Sequence, residues 1–285
     1  MLFALHGQTT FHHNLLSDIR LARDAGFEGL EVITEKLWRY LQAGLTAEDL
    51  ATAFRSHAIR PVCLDIIGDI ECIEPAARQR LLAETERLCA VAHILACPTI
   101  RINPFCGLAA RPWPDIIRLT AQNIVAMAKI GKPYGLRFQL EGAAWTPIHS
   151  IAQCLELLAE ANCDNVGLVL DFWHLWAGRG TSPDDVARLD QSLIYGVHFC
   201  DGFRPEQGAA WPDEKLLRDV LPGEGQIPLK EWVAAVHATG FDGVWSTELL
   251  GTKYWEADHL ELAKEMRTRV EQFCQLPAVN AGVKR

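Results

Sequence analysis

The sequence predicts an α/β fold of the (β/α)8 TIM-barrel type. Three observations predict it. Short apolar runs alternate with longer amphipathic segments, there are eight such pairs, and 285 residues is a usual length for one barrel domain. Alternating β and α units imply a parallel sheet with right-handed crossovers. Eight of them in one domain imply closure.

The expected strands, in order, are Leu2–His6, Gly29–Ile33, Arg60–Ile66, Thr99–Asn103, Leu136–Glu141, Val166–Asp171, Ile194–Phe199 and Gly243–Glu248. The first begins at once: the N-terminus has no basic lead and is too short for a signal peptide. Gly26 and Gly240 stop helices just before the second and eighth strands, as a C′ glycine does. Thr46 with Asp49 three residues on has the form of a capping box, and Leu50, Ala53 and Phe54 then mark one helical face. Thr146-Pro147 predicts an N-cap with proline at N1, and Thr181-Ser182-Pro183 offers a similar start after the sixth strand. No repeat beyond the βα unit and no linker marks a second domain, so residues 1–285 read as one barrel. The tail after about Leu276 lacks apolar periodicity and is expected to be mobile.

Composition narrows the function. Hydrophobic residues make up 49% and charged residues 22%, ordinary for a soluble enzyme. A formal net charge of −9 argues against a nucleic-acid partner, because phosphate binding needs a basic surface. No apolar run is long enough to span a bilayer. The nine cysteines are odd in number, scattered and never spaced C-x-x-C. Reduced thiols in a cytoplasmic protein explain that pattern better than disulfides or a zinc ribbon. Composition leaves the oligomeric state open, a homo-oligomer included.

In a barrel, polar residues at the carboxyl ends of strands face the active site. Here those ends read His6, Asp65, Asn103, Glu141, Asp171, His198 and Glu248. Several buried carboxylates at one mouth require a compensating charge. Glu141, Asp171, His198 and Glu248 end the fifth to eighth strands, so neighbouring strands point them into one small space. Three carboxylates and an imidazole suit a single divalent ion, Mn2+, Co2+, Zn2+ or Mg2+. The competing reading is a set of separate salt bridges. His174, three residues after Asp171, is a fifth ligand, a donor to a substrate hydroxyl, or a prop for Asp171. Arg204 could grip a substrate oxygen and Asp201 could orient His198; the alternative is a surface ion pair. Pro222-Gly223-Glu224-Gly225 fits no nucleotide motif and reads as a structural turn. Among Trp113, Trp145, Trp173, Trp176, Trp211 and Trp255, some could wall a sugar pocket, though most barrel tryptophans simply pack.

These residues carry a family resemblance over about Phe3 to Ala263. The chain resembles the xylose-isomerase-like barrels of the sugar phosphate isomerase and epimerase superfamily, and within them the inosose isomerases of bacterial inositol catabolism. The stretches that match are Gly26-Phe27-Glu28-Gly29-Leu30-Glu31-Val32, Pro133-Tyr134-Gly135-Leu136, and Asn165 to Asp171 with His174. Pro222 to Gly225 and Val244 to Leu249 fit too. The resemblance implies that Glu141, Asp171, His198 and Glu248 hold the metal and that Glu141 and Glu248 also serve as proton-transfer bases. It places His174 and Arg204 at substrate-contacting positions. His6 and Trp145 complete the expected substrate-binding set. Gly142-Ala143-Ala144-Trp145 departs from the family, where a bulkier stretch ends in a histidine.

The expectation is therefore a metal-dependent isomerase or epimerase of a small keto-sugar or inosose-like polyol, with proton transfer through a metal-bound enediolate. The alternative keeps the enolate but expels a β-hydroxyl, giving a dehydratase of a cyclic keto-polyol, of the inosose or dehydroshikimate type, with His174 as acid. A sugar-binding protein on a disabled barrel would not need to keep four ligands. The apurinic endonucleases of the same superfamily are disfavoured by the acidic charge and the single ligand set.

Overall fold

A computed structural model describes residues 1–275, so the expectation for the tail after Leu276 lies outside the described residues. Eight parallel strands close into a barrel in simple chain order. They are β1 (Leu2–His6), β2 (Gly29–Ile33), β3 (Arg60–Ile67), β4 (Thr99–Ile102), β5 (Arg137–Leu140), β6 (Val166–Asp171), β7 (Ile194–Phe199) and β8 (Val244–Thr247). The sequence boundaries hold to within one residue. Where they run long, the ladder is still present: Glu141 N–H donates to the Ile102 carbonyl and Glu248 N–H to that of Phe199. Both glutamates therefore leave the sheet one step past its last paired residue.

Helices pack outside. The Thr46–Asp49 capping box forms, and Ser182 caps helix Pro183–Ala187 with Pro183 in its first turn. Gly26 and Gly240 take positive φ, 82° and 81°, where a side chain would be strained. One expected cap is corrected. Thr146 does not start a helix; its hydroxyl bonds the Ala143 and Ile148 carbonyls, and Ser150 with Gln153 forms the capping box of helix Ile151–Ala161. The extra turn is a tight loop that sets Trp145 at the rim. Among the described residues no helix is long and apolar enough to cross a membrane.

Candidate metal centre

Register carries the polar residues to common levels. β1 pairs His6 with Glu31 of β2, and β6 pairs Asp171 with His198 of β7. Aligned residues on parallel neighbours leave the sheet on the same face, so each pair meets inside the barrel.

Glu141, Asp171 and His198 each offer a ligand atom, and these atoms lie within 4.8 Å of one another. His198 Nδ1 is 2.8 Å from Glu141 Oε1, 3.7 Å from Asp171 Oδ2 and 3.9 Å from Glu248 Oε2. Glu141 Oε1 and His198 Nδ1 are both buried without a hydrogen-bond partner. Buried polar atoms left unpaired are costly, and here they face one point from several strands. This donor set fits one divalent cation bound by nitrogen and carboxylate oxygen.

The remaining oxygens are anchored. Arg101 and Asn103 donate to Glu141 Oε2 at 2.6 and 2.8 Å. Asp171 Oδ1 caps the helix Phe172–Ala177 by accepting the His174 backbone N–H at 2.7 Å, leaving Oδ2 toward the centre. Arg218 bridges Asp171 Oδ2 and Glu248 Oε2. Burial alone would raise these carboxyls. Arg101 and His198 hold Glu141 well below the usual carboxylate range, and Arg218 does the same for Asp171 and Glu248. His198 is lowered by burial but raised further by Glu31, Asp171 and Glu141, ending well above an ordinary imidazole. Burial, with Glu31 and Glu248 adding, pushes Asp65 up to about 8 despite Arg101 beside it. With Asp65 protonated, four buried carboxylates (Glu31, Glu141, Asp171, Glu248) still outnumber the cations they face, Arg101, Arg218 and His198. The excess negative charge is what a divalent ion would neutralise.

A cavity of about 190 Å³ opens above this centre, with Glu141, Trp145, His174, Glu214, Arg218 and Glu248 in its wall. The Trp145 ring meets His174 edge-on at 5.0 Å, so indole and imidazole form one side together. His174 Nδ1 accepts the Ala144 N–H, and its Nε2 stands 4.0 Å from Glu141 and 3.9 Å from Glu214. His174 therefore faces the cavity and props Asp171 only through its backbone.

Two expected substrate contacts sit elsewhere. His6 is fully buried beneath the cavity and outside its wall. Its Nδ1 accepts the Gln8 N–H, so the ring proton is on Nε2, which faces Asp65, Glu248 and Glu31. Arg204 stacks on Trp176 at 4.5 Å, away from the wall. Asp201 does not reach His198; it accepts the backbone N–H groups of Gly202, Gly223, Gly225 and Ile227. It pins the Pro222–Gly225 turn, where a Cβ on Gly225 would come within 2.2 Å of its carboxylate.

Sequence reasoning missed Glu31, Arg101 and Arg218. Charges inside the apolar runs Gly29–Ile33 and Thr99–Ile102 were a usable signal for the first two. Arg218 follows the short helix Glu214–Leu217 in an irregular connection, and nothing local marks it.

The comparisons agree with this architecture. An inosose isomerase from Halalkalibacterium halodurans is 26% identical over 273 residues, covering 92% of this chain and 93% of the relative. A 3-dehydroshikimate dehydratase from Pseudomonas putida is 23% identical over 278 residues, covering 87% of this chain but 40% of that longer protein. The crystal structure of IOLI protein with a bound zinc atom superposes with a TM-score of 0.89 at 24% identity, covering 96% of this chain and 98% of that one. The family model described as Xylose isomerase-like TIM barrel matches residues 19–269, and the chain belongs to that family.

Proposed function

We propose that this protein is a divalent-metal-dependent isomerase or epimerase of a small keto-sugar or inosose-like polyol. The observation that carries the proposal is the meeting of Glu141, Asp171 and His198, with Glu248 beside them, under a polar cavity. Inosose isomerase relatives aligned over nine-tenths of the chain support the substrate class. The cavity is small against the roughly 300–1,000 Å³ of drug-sized sites, and suits a single polyol ring.

Glu141, Asp171, His198 and Glu248 would hold the ion. When bound, a divalent ion polarises a carbonyl and its neighbouring hydroxyl and so acidifies the C–H between them. Glu141 and Glu248 both approach His198 Nδ1, at 2.8 and 3.9 Å; one removes the carbon-bound proton and the other returns one. Arg218 and His174, both in the wall, hold substrate oxygens, and Trp145 lines the same wall beside His174. Isomerisation returns the proton to the neighbouring carbon, with a hydroxyl proton passing between the two oxygens; epimerisation returns it to the same carbon from the opposite face.

The dehydratase relative favours a second reading, in which an acid in the wall protonates a departing β-hydroxyl. His174 and the neighbouring Glu214 occupy that side. A panel of keto-polyols with Mn2+ in D2O, followed by NMR, tests both. Deuterium at carbon with an isomeric product supports the first reading, an unsaturated product supports the second, and neither exchange nor product on any member overturns both.

A further inference from the structure

Glu31 lies in the middle of β2, buried under the centre, and no part of the proposed reaction uses it. Both its oxygens are 3.3 Å from His198 Nε2. On the other edge of the same ring, Nδ1 faces Glu141, Asp171 and Glu248. A neutral imidazole carries one N–H and one lone pair, and only the lone pair can bind a cation. An acceptor at Nε2 therefore decides whether Nδ1 is a ligand.

We infer that Glu31 is the positioning residue of the metal centre: it takes the Nε2–H of His198 and so turns the Nδ1 lone pair toward the ion. Glu31 is held for this role. Gln139 Nε2 donates to its Oε1 at 3.5 Å, while His6 Nε2, on the neighbouring strand, lies 3.9 Å from the same oxygen without a hydrogen bond. The same three residues, His6, Glu31 and His198, could also hold an ion of their own. Two facts oppose that. His6 Nε2 carries a proton, because Nδ1 accepts the Gln8 N–H. His198 could bind one ion on each nitrogen only by losing its ring proton altogether.

The inference rests on the metal site proposed above, and the experiment separates the two. Wild type, Glu31→Gln and Glu31→Leu are prepared metal-free and titrated with Zn2+ against a chromophoric chelator, with bound metal counted per chain. Long-range 15N–1H NMR of 15N-histidine protein, with His198→Gln for assignment, reads which His198 nitrogen carries the proton. Wild type should bind one ion per chain and, with Zn2+ bound, show the His198 proton on Nε2, hydrogen-bonded to Glu31. Glu31→Leu should weaken Zn2+ binding about 10–100-fold, the usual effect of losing a group that orients a ligand, and should move the His198 ring-proton signal of the Zn2+-loaded protein. Glu31→Gln keeps an acceptor oxygen; it should retain the tautomer and lose severalfold in affinity. Should Glu31→Leu fail to fold, Glu31→Gln decides alone, and unchanged affinity overturns the inference. Two ions in wild type, one of them lost with Glu31, would make Glu31 a ligand and overturn it as well. A wild type that binds no divalent ion overturns the metal site itself, and Glu31's role with it.

Discussion

Glu141 Oε1 approaches His198 Nδ1 to 2.8 Å, yet the two are not aligned as a hydrogen bond and neither atom has another partner. A carboxylate oxygen and an imidazole nitrogen at this separation are spaced as two ligands of one cation would be, since bonds of about 2.0–2.2 Å put ligand atoms about 3 Å apart.

The first prediction follows from that pair. Purified protein should carry about one divalent ion per chain, and chelation should remove metal and activity together. Full activity after EDTA, with no metal by elemental analysis, would remove the centre as described.

Glu141→Gln and Glu248→Gln separate ligation from proton transfer. Glutamine can still ligate through its carbonyl oxygen but is no base at neutral pH. Both variants should hold metal supplied in excess and lose about 10²–10⁴-fold in turnover. One of them could keep exchanging substrate C–H for deuterium, because its remaining base works on one face. Normal turnover by both metal-loaded variants would end the two-base assignment.

Arg218 joins Asp171 to Glu248. Arg218→Met leaves two buried carboxylates facing each other, and breaking such a pair costs about 3–5 kcal/mol. The variant should therefore melt well below wild type when metal-free and recover much of the difference with Mn2+. Equal melting temperatures without metal would mean that Arg218 does not balance these charges.

Trp145 shares the cavity wall with His174 and is not among the grouped ligands. Trp145→His should shift preference among keto-polyols while metal content stays constant. A change in metal content with preference unmoved would place Trp145 in the wrong role.

His6 gives a pH signature. Burial lowers it from 6.5 to about 4, although Glu248 and Glu31 act to raise it. The folded state thus holds His6 neutral where the unfolded chain begins to protonate. Its contribution is complete above pH 6.5 and is lost as pH falls toward 4, where the folded protein takes up the proton too. A gap of about 2.5 pH units at about 1.4 kcal/mol per unit amounts to about 3 kcal/mol. Denaturant titrations of metal-free wild type and His6→Gln from pH 7 to 4 should converge or cross by that order. Parallel curves would show that His6 is not held neutral.

The fold was legible because barrel strands are short apolar runs with local stops. Gly26 before β2 and Ser182-Pro183 after β6 announce themselves whatever the rest of the chain does. The four proposed ligands were legible for a related reason: the end of a barrel strand faces the mouth, so strand order alone brings β5 to β8 residues together. The acidic balance of the chain was equally plain. Tertiary structure alone decided the rest. Arg204, beside His198 in sequence, turned outward onto Trp176, while Arg218, from an irregular connection, entered the centre. Glu31 and Arg101 became partners of His198 and Glu141 because closure set β2 opposite β7 and paired β4 with β5. Periodicity reports which face a residue takes; only closure and register determine which charges meet on that face, and buried charges must meet a partner to stay buried.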